Sequence, residues 1–156
     1  MKISVKKEAG HYLFSICYSV SASLAESWDL LATDSGFAHW FPQLNIVGNT
    51  LVFEMEGFRE VMDLLEYRKN EKIAYRWDSA TVSFALSQLE NQTLITFEER
   101  IPEDFGNEFA NAQKYMTGWL VQNECIKKFL EGQEPPVCQP LQEKWRTFLE
   151  LELEGL

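Results

Sequence analysis

The chain has 156 residues, of which 46% are hydrophobic and 13% aromatic, and it carries a formal net charge of −10. That length fits one domain with a full core, and the composition is globular rather than disordered. An acidic chain whose basic runs, Lys6-Lys7 and Lys127-Lys128, are only pairs is set aside as a binder of nucleic acid or of a membrane surface.

Cys17, Cys125 and Cys138 are odd in number and widely spaced. They suit neither a disulfide framework nor a zinc site, so a reducing, cytoplasmic setting is expected, with no metal and no cofactor. Lys2, Lys6 and Lys7 followed by Tyr12–Val20 imitate a secretion signal. The imitation fails because Tyr12, Phe14, Ile16, Tyr18 and Val20 alternate with Leu13, Ser15, Cys17 and Ser19, which is the period of a strand. No apolar stretch approaches the roughly 20 residues of a membrane span.

The first predicted strand is therefore His11–Val20. Ser23 and Glu26 have the spacing of a capping box, which opens a helix over Leu24–Thr33 with Leu24, Trp28 and Leu31 on one stripe. Asp34-Ser35-Gly36 reads as its end, and a short turn of helix over Phe37–Trp40 stops before Pro42. Strands follow at Gln43–Val47, Leu51–Glu56, Phe58–Arg68, Lys72–Asp78, Thr81–Leu86 and Thr93–Ile101. Their short polar connections imply antiparallel hairpins.

A long helix is predicted over Asn107–Glu131, with an apolar seam through Phe109, Ala112, Met116, Trp119, Asn123, Ile126 and Leu130. Pro135, Pro136 and Pro140 read as a stiff linker to a last amphipathic helix over Leu141–Leu153. The order is β-α-α-β(5–6)-α with an extra C-terminal helix, an α+β arrangement. Six to seven antiparallel strands with one apolar face need a cover, and the long helix is the element able to supply it. Residues 1–134 form that unit, and 135–156 add the linker and last helix to the same domain.

Several segments now resemble a known family. Val20-Ser21-Ala22-Ser23, Trp28-Asp29-Leu30-Leu31 and Trp40-Phe41-Pro42 come first, then Glu71–Trp77, then Thr117-Gly118-Trp119 and Cys125–Glu131. In order and spacing they are similar to the START-like (SRPBCC) superfamily, in the branch of the activator of the heat-shock protein 90 ATPase. The resemblance covers residues 10–131. It implies a helix-grip fold, a sheet curved around the long helix. Family members bind lipids, hormones or polyketide-like molecules, or contact protein partners, and they share no fixed catalytic set. Where many members have Gly-Gly after the second family strand, this chain has Gly48-Asn49, which still permits a tight turn. The helix after Gly132 lies beyond the usual family end.

Three functional readings follow. In the first, a small hydrophobic ligand, lipid-like or aromatic, occupies an internal cavity without being transformed. Strand alternation points Phe53, Tyr75, Trp77, Phe84 and Phe97 to one interior, Trp40 joins from the short helix, and the long helix contributes Met116, Trp119 and Asn123. The mouth is placed at Phe37, His39 and Phe41. The competing reading of these side chains is a core packed to ordinary density. In the second, the protein is an interaction or chaperone-regulatory module. Its last helix, with Leu141, Trp145, Phe148 and Leu149 on one stripe, packs on its own domain or forms a homodimer. The third, an enzyme acting in the same cavity, is weakest. Glu54, Glu56, Asp63 and Glu66 read as a solvated outer face, and neither His11 nor His39 is paired with a nucleophile, so no catalytic residue is assigned.

Overall fold

A computed structural model describes residues 1–104 and 111–156. Eight strands form one antiparallel, curved, open sheet in the order β1-β2-β8-β7-β6-β5-β4-β3. They are β1 (Lys2–Glu8), β2 (His11–Val20), β3 (Leu44–Val47), β4 (Thr50–Met55), β5 (Phe58–Arg68), β6 (Lys72–Trp77), β7 (Ala80–Leu89) and β8 (Gln92–Pro102). The helices α1 (Leu24–Ala32) and α2 (Asp34–Trp40) follow β2, and α3 (Ala112–Leu130) and α4 (Cys138–Glu154) follow β8. This is the helix-grip arrangement that the family resemblance implies, and it agrees with the predicted element order.

The sheet has one more strand than the six to seven expected. β1 pairs with β2 from Lys2↔Cys17 to Glu8↔His11, and Ile3 and Val5 pack on the core. Its lysines hid it, because Lys6 and Lys7 mask a period-two pattern with only two apolar positions. The turn is made by Ala9 and Gly10, both at positive φ (50° and 80°). Two left-handed residues give the twist that a two-residue hairpin requires.

A second difference concerns Asp34-Ser35-Gly36, which opens α2 rather than ending α1. Thr33 explains this. Its hydroxyl accepts from the Gly36 N–H at 3.1 Å and donates to the Asp29 carbonyl at 2.6 Å, so one side chain ends α1 and caps α2. α2 then turns back onto α1, where the Trp40 indole N–H donates to the Leu30 carbonyl at 2.8 Å.

The Asn111 side chain caps α3 by accepting from the Lys114 N–H at 2.9 Å. The expected helix start at Asn107 and the seam residue Phe109 lie outside the described residues. Met116, Trp119, Asn123 and Ile126 are buried as the seam predicts. The far end of the helix is tied down by Glu131, whose carboxylate accepts from the Ser21 N–H at 2.7 Å and the Ser21 hydroxyl at 2.8 Å.

α4 begins at Cys138, three residues before the expected Leu141, because Pro140 falls in its first turn, where no intrahelical N–H is needed. It folds back along α3. Trp145 and Leu149 are buried, and the Gln113 side chain donates to the Arg146 carbonyl at 3.4 Å. Leu153, the expected last residue of this helix, packs against the core. Among the described residues no helix is long and apolar enough to cross a membrane.

Gly36 is the tightest point of this frame. A Cβ there would meet the Asp29 carbonyl oxygen at 2.0 Å and the Leu30 carbonyl oxygen at 2.4 Å. Both are backbone atoms that cannot give way, so Gly36→Ala must separate α1 from α2. The expected loss is about 3 kcal/mol, the upper end of ordinary overpacking, read as a melting temperature lowered by roughly 6–12 °C.

Candidate functional site

Alternation along the central strands sends Tyr75, Phe84 and Phe97 inward, and each is fully buried. α3 lays Trp119 over them. Its ring lies 4.9 Å from Phe97, 6.1 Å from Phe84, 5.2 Å from Trp77 and 6.5 Å from Trp40. Phe41 bridges Trp77 and Phe53 at 5.5 and 5.9 Å. The structure therefore brings Trp40, Phe41, Phe53, Tyr75, Trp77, Phe84, Phe97 and Trp119 into one aromatic assembly, mostly edge-to-face, the geometry such rings prefer.

The other expected site residues are placed differently. Met116 is buried in the α3 seam, and Phe37 is buried in the core, 5.8 Å from Trp40. Asn123 is saturated: it accepts from the Tyr18 hydroxyl and donates to the Trp119 carbonyl, both at 2.8 Å, so it holds α3 on β2. His39 sits against Phe129, with ring centroids 4.6 Å apart, beside a hollow of 290 Å³ between α2 and the end of α3. Of the three expected mouth residues, Phe41 is the one that borders the aromatic assembly's opening.

That opening is a pocket of 190 Å³ lined by Phe41, Trp77, Lys114, Tyr115, Gly118, Trp119 and Gln122. Its floor is the Trp77–Trp119 pair, and its helix side is open because residue 118 has no side chain. At the rim the Tyr115 hydroxyl donates to Asp78 Oδ2 at 2.9 Å. A larger hollow of 550 Å³ lies on the opposite, outer face of the sheet, over Ser15, Ala74, Thr81 and Ser83. Its lining mixes Leu13 and Leu65 with the charged Lys6, Glu66, Lys72, Glu98 and Arg100, and it lacks the cluster of rings found on the inner face.

One interior residue was not singled out from the sequence. Glu99 on β8 is 1% exposed, between Phe97 and Ile101 on the inward face. Among the described residues neither of its carboxyl oxygens has a hydrogen-bond partner, and the same is true of the buried Tyr75 hydroxyl. The two are linked across the sheet, since Glu99 pairs with Val82 and Val82 with Tyr75. Burial raises the Glu99 carboxyl well above the usual carboxylate range. The Trp119 indole N–H pulls the other way, from a position short of a formed hydrogen bond. Burial, and then the Glu99 charge, raise the Tyr75 hydroxyl. The signal was present in the sequence: if Ile95 and Phe97 point inward, residue 99 does too. An unpaired buried polar group costs about 1–3 kcal/mol.

Glu99 therefore makes stability depend on pH. In the window between the usual carboxylate range and its raised folded value, the folded chain holds a proton that the unfolded chain has lost. Its contribution is complete below the ordinary carboxylate pKa and is lost as pH rises through the folded one. Thermal melts of the wild type and Glu99→Gln should diverge from about pH 5 upward, the wild type falling relative to the variant. Parallel curves would mean a solvated carboxyl.

No protein-family model matches the chain, and no curated protein matches it. Solved structures do. A conserved protein of unknown function from Enterococcus faecalis, EF2215, superposes with a TM-score of 0.80 at 24% identity, covering 97% of this chain and 92% of that one. CalU16 from Micromonospora echinospora gives 0.71 at 14% identity over 97% and 96%. An Aha1 protein from Colwellia psychrerythraea, solved as a dimer in solution, gives 0.61 at 21% identity over 76% of this chain and 96% of that one. At such identities the likeness is one of fold, the helix-grip arrangement of an antiparallel sheet curved around a long helix.

Proposed function

We propose that this protein binds a small hydrophobic molecule, without transforming it, in the pocket between the sheet and α3 bounded by Phe41, Trp77 and Trp119. The observation that carries this reading is the 190 Å³ opening itself, which has an aromatic floor and a glycine where α3 faces it. Apolar walls with few polar groups favour retention of a hydrophobe. Its size suits a compact ligand, or one end of a longer one. Both histidines lie elsewhere: His11 contacts the Ala9 carbonyl and Arg100, and His39 contacts Phe129. The unbridged Cys17, Cys125 and Cys138 suit a reducing, cytoplasmic setting.

A second reading, a protein-interaction module or homodimer of the heat-shock-activator branch, draws on a different surface. In β3–β5, Val47 and Val61 are exposed on one face of the sheet and Met55 and Phe58 on the other. The α4 stripe is a weaker candidate for a dimer contact, because Trp145 and Leu149 are already buried within the chain.

Gly118 separates the readings. A Cβ there meets no heavy atom within 4 Å among the described residues, so a side chain is accommodated at the pocket's edge without disturbing the frame. Gly118→Leu should stabilise α3 by up to ~1 kcal/mol through helix propensity. Native mass spectra of freshly purified wild type should show an added mass that vanishes on denaturation, and Gly118→Leu should lack it. A doubled mass with no small-molecule adduct in either protein would favour the second reading instead.

A further inference from the structure

The turn between α3 and α4 brings together two cysteines that are distant in the sequence. Gly132, at a φ of 69°, ends α3, and the Gln133 N–H donates back to the Lys128 carbonyl at 2.8 Å, so the chain reverses there. α4 then returns along α3. The groove between them is lined by Lys114 and Gly118 from one helix and by Gln139, Gln142 and Arg146 from the other. Steps of three and four carry the α3 stripe on from Gly118 to Val121 and Cys125. Cys138 opens α4, one position before Gln139. The Cys125 and Cys138 side chains lie within hydrogen-bonding reach of each other, and both are free thiols. Cys17 is elsewhere, on β2, with its sulfur 3.6 Å from the Thr96 hydroxyl.

The two thiols differ in access. Cys138 is exposed and Cys125 half-buried, so a dissolved oxidant meets Cys138 first. Burial first, and then the neighbouring Cys138, raise the Cys125 thiol, which suits it to answer second. The connecting residues 133–137 belong to no helix or strand, and all but Pro136 are exposed. They can shift to bring the sulfurs to bonding distance while the packed face of α4, Trp145 and Leu149, stays in place.

We propose that Cys125 and Cys138 form a reversible dithiol–disulfide site, open under reducing conditions and closed by a low-molecular-weight disulfide such as oxidised glutathione, and that closure ties the start of α4 to α3. The site is independent of the ligand pocket. Exchange runs through the thiolate. Cys138 gives its proton to solvent, and its sulfur attacks one sulfur of the small disulfide. That S–S bond breaks, and the first small thiol leaves, taking up a proton. Cys125 then loses its proton and attacks the Cys138 sulfur of the mixed disulfide, releasing the second small thiol. Two protein thiols are oxidised by two electrons, and one small disulfide is reduced to two thiols. A bridge of this kind in a reducing compartment is a transient, redox-responsive one.

The test equilibrates the full chain with mixtures of reduced and oxidised glutathione, folded in buffer and unfolded in urea, and counts free thiols after an acid quench. The folded wild type should fall from three free thiols to one, with its mass lower by about 2 Da and no glutathione retained. Trypsin cuts after Lys114, Lys127, Lys128 and Lys144, so a non-reduced digest should hold peptides 115–127 and 129–144 joined. At fixed reduced glutathione, half-closure of the folded chain should need about tenfold less oxidised glutathione, or lower still, than the unfolded chain. Cys125→Ser should keep one glutathione on Cys138, Cys138→Ser should keep both remaining thiols free, and Cys17→Ser should close as wild type does. An equal requirement in folded and unfolded chains would mean that the fold does not pair these thiols, and the proposal fails. It fails equally if the folded chain keeps three free thiols in mixtures that bridge the unfolded one, if Cys17 enters the bridge, or if two chains become linked through Cys138.

Discussion

Trp119 is the contact on which the rest of the interior depends. A curved sheet leaves a concavity, and a cylindrical helix laid in it touches the sheet along a line rather than a surface. One large side chain at the middle of that line decides whether the space beside it is filled or open. Trp119 reaches the rings of Phe84 and Phe97 on the central strands and those of Trp40 and Trp77 to its sides. It fills the centre and leaves the opening at its flank, where Gly118 removes the side chain that would close it. Beyond this contact the C-terminal half of the helix is tied down, by Asn123 to Tyr18 and by Glu131 to Ser21.

Against that apolar setting Glu99 is an expense in stability. An isosteric neutral residue in its place would avoid desolvating a carboxyl. Three other buried polar side chains, Ser27, Thr93 and Asn123, each meet a partner at 2.8–2.9 Å. Glu99 and Tyr75 lack partners among the described residues, as do the Asn70 side-chain oxygen and the Trp145 indole nitrogen. The buried carboxyl bears on the older question of whether the aromatic interior is a cavity wall or only a packed core. Packing explains Phe84 and Phe97, which sit ring against ring, and leaves the carboxyl without a role.

The elements least legible in the sequence failed for identifiable reasons. β1 has apolar side chains only at Ile3 and Val5, and its edge position leaves the lysines in water, so alternation is nearly silent. The end of α1 and start of α2 were misread because Asp34-Ser35-Gly36 has the composition of a turn. Thr33 decides the matter with two hydrogen bonds that no spacing reveals. The start of α4 at Cys138, ahead of the expected Leu141, was hidden by Pro140, which reads as linker but is tolerated in a first helical turn.

The sequence by itself determined the α+β order, the antiparallel hairpins, the α3 seam and the inward set of Tyr75, Phe84, Phe97 and Trp119. These rest on periods of two and 3.6 residues, which are local and survive without knowledge of the fold. Only the tertiary structure decided which inward residues meet. It separated His39 and Phe37 from Phe41, used Asn123 as a structural tie, opened the pocket at Gly118, and left Glu99 and Tyr75 buried without partners among the described residues. The reason is that period assigns a residue to a face, whereas a site is made by where two faces cross, and the crossing of α3 over the curved sheet is set by contacts far apart in the chain.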